Sequence, residues 1–152
     1  MATAPLIGNF GEFDPEKEDF ENYAKRLNVW FTVNKIKSDD KVSVFLALVG
    51  AKAFGNLISM SVPDDPSTKT LAVLTEMLEN FYKSQRNEIT ERMKFRESKQ
   101  KENETVSEFI VDLKRLSIRC GYDETLSENL RDTFTAGLRD FNTRKKLLSI
   151  KI

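Results

Sequence analysis

The sequence predicts an all-α protein built from two small helical lobes. Three observations carry that expectation. Apolar residues recur at three- and four-residue spacing almost throughout the chain. Helix-opening residues stand at the starts of those stripes, with glycine or proline near several of their ends. No segment alternates with period two for long enough to make a strand; the nearest candidate, Leu6 to Phe13, is punctuated by glycine.

The elements follow in order. Asp14 and Pro15 read as the N-cap and first position of a long helix, with Glu16, Glu18 and Asp19 complementing its dipole. Its apolar stripe is Phe20, Tyr23, Ala24, Leu27, Trp30 and Phe31. Ser38-Asp39-Asp40 opens a shorter helix that buries Val42, Phe45, Leu46 and Val49. Gly50 breaks it, and Ala51, Phe54, Leu57 and Ile58 mark another. Val62-Pro63-Asp64-Asp65-Pro66 is a loop, because two prolines disfavour helix on both sides. Ser67 or Thr68 then caps a helix with Leu71, Leu74, Leu78 and Phe81 inward.

The apolar pattern lapses from Tyr82 to Arg86, which reads as a hinge between lobes 1–84 and 85–152, the first carrying an extended arm over 1–13. Beyond it lies a weakly periodic, strongly charged segment with Ile89, Met93 and Phe95. Thr105-Val106-Ser107-Glu108 has the capping-box pattern, in which the threonine accepts from the Glu108 backbone and the glutamate reaches back. The helix it opens buries Val106, Phe109, Ile110, Leu113, Leu116 and Cys120, with Gly121 as a left-handed cap. Thr125-Leu126-Ser127-Glu128 repeats the pattern before Leu130, Phe134 and Leu138, and Asp140 caps a last helix with Phe141, Leu147 and Leu148.

Composition narrows function. With 24 basic and 24 acidic residues, net charge is zero, so there is no strong general attraction to nucleic acid. The charge is uneven: residues 1–84 hold 9 basic and 12 acidic residues (net −3), and 85–152 hold 15 and 12 (net +3). The basic surplus gathers at Arg92, Lys94, Arg96, Lys99 and Lys101, a possible RNA contact whose plainer reading is a solvated face. No apolar run approaches a membrane-spanning length, the first 13 residues lack the features of a signal peptide, and one cysteine precludes an internal disulfide. A cytoplasmic protein is expected.

The residues for catalysis are sparse. Histidine is absent, which removes the commonest general base and the usual zinc and haem ligands. One cysteine makes neither a zinc site nor an iron–sulfur cluster, and the six glycines form no phosphate-binding loop. Cys120 lies in an apolar stripe, as a buried, unreactive thiol does. The expectation is a non-enzymatic protein without cofactor or metal.

One constellation is more specific. Gln100, Glu104, Phe109 and Leu113 stand at intervals of four, five and four, bracketing the capping box at Thr105. A Gln and a Glu just before a helix can hydrogen-bond each other and nearby backbone donors, locking a bend onto the helix whose buried face carries the Phe and the Leu. This constellation is similar to the major homology region of retroviral capsid proteins. Around it, Arg92 to Arg96, Leu116, Cys120-Gly121-Tyr122, Leu130-Arg131-Asp132, Gly137-Leu138 and Leu147-Leu148 resemble the Gag protein of gypsy-type long-terminal-repeat retrotransposons. Upstream, Phe20, Tyr23, Arg26-Leu27, Trp30-Phe31, Asn34-Lys35-Ile36, Phe45-Leu46, Gly50, Leu78 and Phe81 extend the resemblance over roughly 10–150.

The resemblance implies a capsid with N- and C-terminal helical lobes that assembles into a virus-like shell around the element's RNA. The C-terminal lobe dimerises in that family, and the face around Leu126, Leu130 and Phe134 is expected to serve. Host genes derived from such Gags, neuronal Arc among them, keep both lobes, and the N-terminal lobe of Arc grips short peptides. A groove beside Trp30, Phe31 and Phe45 would do so here, although ordinary core is the favoured reading of those aromatics. Three departures stand out. Lys101 occupies the place of a retroviral glycine, no Cys-Cys-His-Cys knuckle for RNA packaging is present, and the family commonly continues past Ile152 into another helix, so the second lobe is expected to lack its final helix.

Overall fold

The computed structural model describes residues 4–150, so positions 1–3 of the expected arm and 151–152 at the chain end lie outside the described residues. The fold is all-helical, with eight α-helices and no strand among the described residues. Internal contacts divide the chain into two compact units between Gln85 and Arg86.

In the first unit, α1 (Phe20–Val33) packs against α4 (Leu71–Ser84), which also meets α2 (Lys41–Leu48) and α3 (Ala51–Ser61). The core is aromatic: Phe13, Phe20, Tyr23, Phe31, Phe45 and Tyr82 are buried with Leu27, Val49, Leu57, Leu74 and Leu78. The Tyr23 hydroxyl donates to Leu48 O at 3.1 Å, and burial pushes its phenol up to about 12. Before α1 the described chain forms no strand. Ile7 N–H donates to Asn34 Oδ1 at 2.6 Å, Asn34 Nδ2 donates back to Ile7 O at 3.1 Å, and Phe13 N–H donates to Val49 O at 3.1 Å.

Several expected boundaries move. Asp14 opens a single turn, accepting from Glu16 N–H, and the helix itself starts after Asp19. Phe13 and Phe20 bury in one core with ring centres 5.1 Å apart, so the chain between them must fold back rather than run straight. In α3 the inward residues are Ala53, Leu57 and Ser61, whereas Phe54 and Ile58 are exposed. Ser67 and Thr68 belong to a 3₁₀ turn over Pro66–Thr68, and the cap of α4 is Thr70, whose hydroxyl accepts from Val73 N–H. The first residues of the stretch read as a hinge are helical: α4 continues to Ser84 and Tyr82 is buried against Phe13 and Phe20, with the division between units following at Gln85–Arg86.

The second unit contains α5 (Glu88–Glu97), α6 (Val106–Ser117), α7 (Leu126–Gly137) and α8 (Phe141–Ser149). Helices α5, α6 and α7 contact one another, and α8 lies against α7. The core is small: Phe95, Phe109, Leu113, Cys120 and Tyr122 are buried, with Leu116, Leu130 and Phe134 packed on them. Leu138 is also buried, whereas Val106, Ile89 and Met93 are exposed. Gly121 has the expected left-handed backbone (φ +55°), but α6 has already ended at Ser117. The second capping box does not form. The Thr125 hydroxyl donates to Tyr122 O at 2.7 Å within a 3₁₀ turn and makes no cap bond. The cap at Asp140 does form, accepting from Thr143 N–H at 2.8 Å. On α8, Leu147 is half-buried while Phe141 and Leu148 are exposed.

Candidate functional site

The turn before α6 is held by hydrogen bonds from both of its ends. Helix α5 ends at Glu97, and the chain passes close to the end of α7, where Gln100 N–H donates to Gly137 O at 3.0 Å. The Gln100 side chain bonds in two directions: Nε2 donates to Glu104 O at 2.8 Å, and Oε1 accepts from Arg139 N–H at 3.1 Å. The Glu104 carboxylate turns the other way and accepts from Lys101 N–H at 2.8 Å. The two side chains therefore brace the same bend, but through backbone groups rather than through each other. Lys101 needs no left-handed backbone here, since it is not among the residues with positive φ.

The capping box completes the turn. Thr105 Oγ1 accepts from Glu108 N–H at 3.2 Å, and Glu108 accepts from Thr105 N–H at 2.8 Å. These bonds hold the Glu108 carboxyl below its ordinary value of 4.5, the backbone donor contributing most. A depressed folded-state pKa gives a stabilisation that is complete above pH 4.5 and is lost as pH falls through the folded value. Glu108→Gln, which keeps an acceptor at the cap, is expected to flatten the acid limb of a pH-dependent thermal melt of this unit.

Phe109 and Leu113 point from α6 into the core, each about 1% exposed, and the Phe109 ring stacks on Phe134. Gly137 lies beneath this ring: a Cβ there would stand 2.6 Å from Phe109 Cζ and 2.7 Å from Ser98 O. Two partners of the bend thus come from the α7–α8 junction. The constellation read from the sequence omitted Arg139, and it held Gly137 without a role. Arg139 also donates through Nη1 to Glu102 O at 2.6 Å. The only local signal for either was the Gly-Leu-Arg-Asp run at a helix end.

The other expected sites are placed differently. Phe31 and Phe45 are wholly buried in the first unit's core, so they line no open groove; Trp30 is half-buried against Phe10 and Phe31. Of the residues expected on a dimer face, Leu126 is exposed and lines an open groove with the half-buried Leu130, while Phe134 is half-buried against the unit's own core.

The basic cluster is dispersed. Arg92 is a brace, donating from Nε to Cys120 O at 2.7 Å and from Nη2 to Gly121 O at 3.0 Å. It also pairs with Glu88 and stacks on Tyr122. Lys94 pairs with Glu91, Lys101 with Asp112, and Arg96 and Lys99 are exposed.

Cys120 has no exposed surface, and burial pushes its thiol up. We expect it to react with a thiol reagent at least about tenfold more slowly in the native protein than in denaturant, measured by absorbance at neutral pH. Among the described residues no group of three or more His, Cys, Asp or Glu side chains is placed to hold a metal. No single helix among them is long and apolar enough to cross a membrane.

Comparison of the chain with profiles of known protein families, with curated proteins and with solved structures finds no match.

Proposed function

We propose that this chain is a structural capsid domain of Gag type, from a gypsy-type retrotransposon or a host gene derived from one, that assembles with copies of itself. The observation that carries the reading is the bend at Gln100. A spacing picked out in the sequence by resemblance coincides with a closed hydrogen-bonded turn in which Gln100 joins Glu104 O to Arg139 N–H. Such a turn has no catalytic chemistry. It holds α6 against the α7–α8 junction and makes a rigid block of a unit whose core is too small for great stability of its own.

On this reading the two compact units are the capsid lobes, and the partners are other copies of the chain. The element's RNA would be held mainly by a knuckle-bearing segment that these 152 residues do not contain. The protein would act in the cytoplasm as virus-like particles, without metal or cofactor. The adapter alternative is weaker, because the aromatics expected to grip a peptide are occupied by the first unit's own core.

The test is direct: purified protein at rising concentration and salt, followed by light scattering and negative-stain electron microscopy. Particles or concentration-dependent oligomers are expected. A strict monomer at millimolar concentration overturns the proposal.

A further inference from the structure

Two surfaces of the second unit complement each other. The first is an exposed face of α8, where Leu148 and Ile150 line an open groove beside α7. Phe141 and Leu148, seven residues apart and so on one helical face, are 63% and 72% exposed, and Ile150 just beyond is 63% exposed. Arg144, Lys145 and Lys146 flank them, and no acidic residue occurs between Phe141 and Ser149. Arg144 lies over the Phe141 ring, and Lys145 and Lys146 are exposed.

The second surface is an open groove of about 800 Å³ along the start of α6. Val111, 64% exposed, supplies its apolar part. Glu102, Glu104, Glu108 and Asp112 line it with Lys101, and Arg139 and Arg115 at its margin pair with Glu102 and Asp112, so four carboxylates face three cations for a formal net charge of −1. An apolar ridge edged with cations thus stands on the same unit as an apolar-centred groove edged with carboxylates.

The two cannot meet within one chain. Helix α8 is held on α7, with Arg144 Nη1 donating to Ala136 O at 3.5 Å. We propose that α8 of one copy docks into the α6 groove of a second copy, a head-to-tail contact between second units. Phe141 and Leu148 would cover Val111, and Lys145 and Lys146 would meet the carboxylates around it. Because each copy carries both surfaces, the contact leaves a free end at either side and propagates into rings or filaments, whereas a two-fold dimer closes on itself. The charged margins confer orientation and a salt-sensitive association.

This contact rests on the self-assembly reading above, and the experiment separates the two. Val111→Arg repels the cations of an incoming α8, and Leu148→Glu repels the groove's carboxylates; both positions are exposed, so circular dichroism should show native folding. By sedimentation velocity, each variant alone should lose association by about tenfold or more relative to wild type. An equimolar mixture of the two should form heterodimers and nothing larger, since the intact α8 of Val111→Arg meets the intact groove of Leu148→Glu and the surfaces left at either end are spoiled. Both variants associating like wild type would overturn the head-to-tail contact while leaving self-assembly standing. So would a mixture that stays dispersed, or a loss for Leu148→Glu alone, which would mark an α8–α8 contact. Loss of RNA binding in Leu148→Glu with association unchanged would assign the α8 face to nucleic acid. A wild type that never associates would sink both proposals together.

Discussion

Gly137→Ala is expected to destabilise the second unit by about 3 kcal/mol, the upper end of what overpacking a filled site costs. The added methyl would stand 2.6 Å from Phe109 Cζ and 2.7 Å from the Ser98 carbonyl oxygen. A side-chain contact can be relieved by a rotation, but the carbonyl belongs to the backbone leading into the bend, and Phe109 is itself confined by Phe134. Relief therefore requires α7 to withdraw from residues 98–100, which breaks the bond from Gln100 N–H to Gly137 O. Chemical denaturation of the variant should give a lower midpoint for this unit. Adding Phe109→Leu should restore little, since it removes the ring contact and leaves the carbonyl contact in place. Near-complete rescue by that second change would mean the backbone approach is softer than the geometry implies.

Arg92→Ala is expected to cost about 2 kcal/mol, through loss of a charge-assisted hydrogen bond to the part-buried Cys120 carbonyl and a second, exposed one to Gly121 O. The guanidinium is matched to its place: Nε and Nη2 reach Cys120 O and Gly121 O together while the plane covers Tyr122 at 5.2 Å. Arg92→Lys keeps the charge but cannot bridge both carbonyls, so most of the loss should persist. If Arg92 served RNA instead, the lysine variant would bind polyanion nearly as well as wild type and melt normally. The expected result is the reverse: an early melt with unchanged salt dependence of any RNA binding.

What was legible in the sequence was local. The capping box at Thr105 joins residues three apart, and the chain around it decides whether those bonds form. The spacing of Gln100 to Glu104 was legible for the same reason, and it marked the bend although the bonds run through backbone atoms. Gly137 and Arg139 reach that bend from 37 to 39 residues downstream, and nothing near Gln100 announces them. The aromatic stripe of α1 likewise read correctly as core, whereas the helix start did not. Asp14 and Pro15 are good opening residues, but burial of both Phe13 and Phe20 in one core makes the turn they open stop short of a helix.

Thr105 and Thr125 show the division most clearly. Both precede a glutamate at the same spacing, so the residues alone offer each the same cap. Thr105 follows a bend pinned by Gln100, has extended backbone (ψ 160°), and its box closes. Thr125 follows Tyr122, whose ring packs on Phe95; its backbone is turned (ψ 5°) and its hydroxyl goes to Tyr122 O. Sequence by itself determined the helical class, the order of the stripes and the residues able to cap them, because those depend on neighbours along the chain. Only the tertiary structure decided which caps close, that Arg92 braces the Cys120–Gly121 turn, and which apolar faces remain uncovered, because each turns on groups brought together from distant positions.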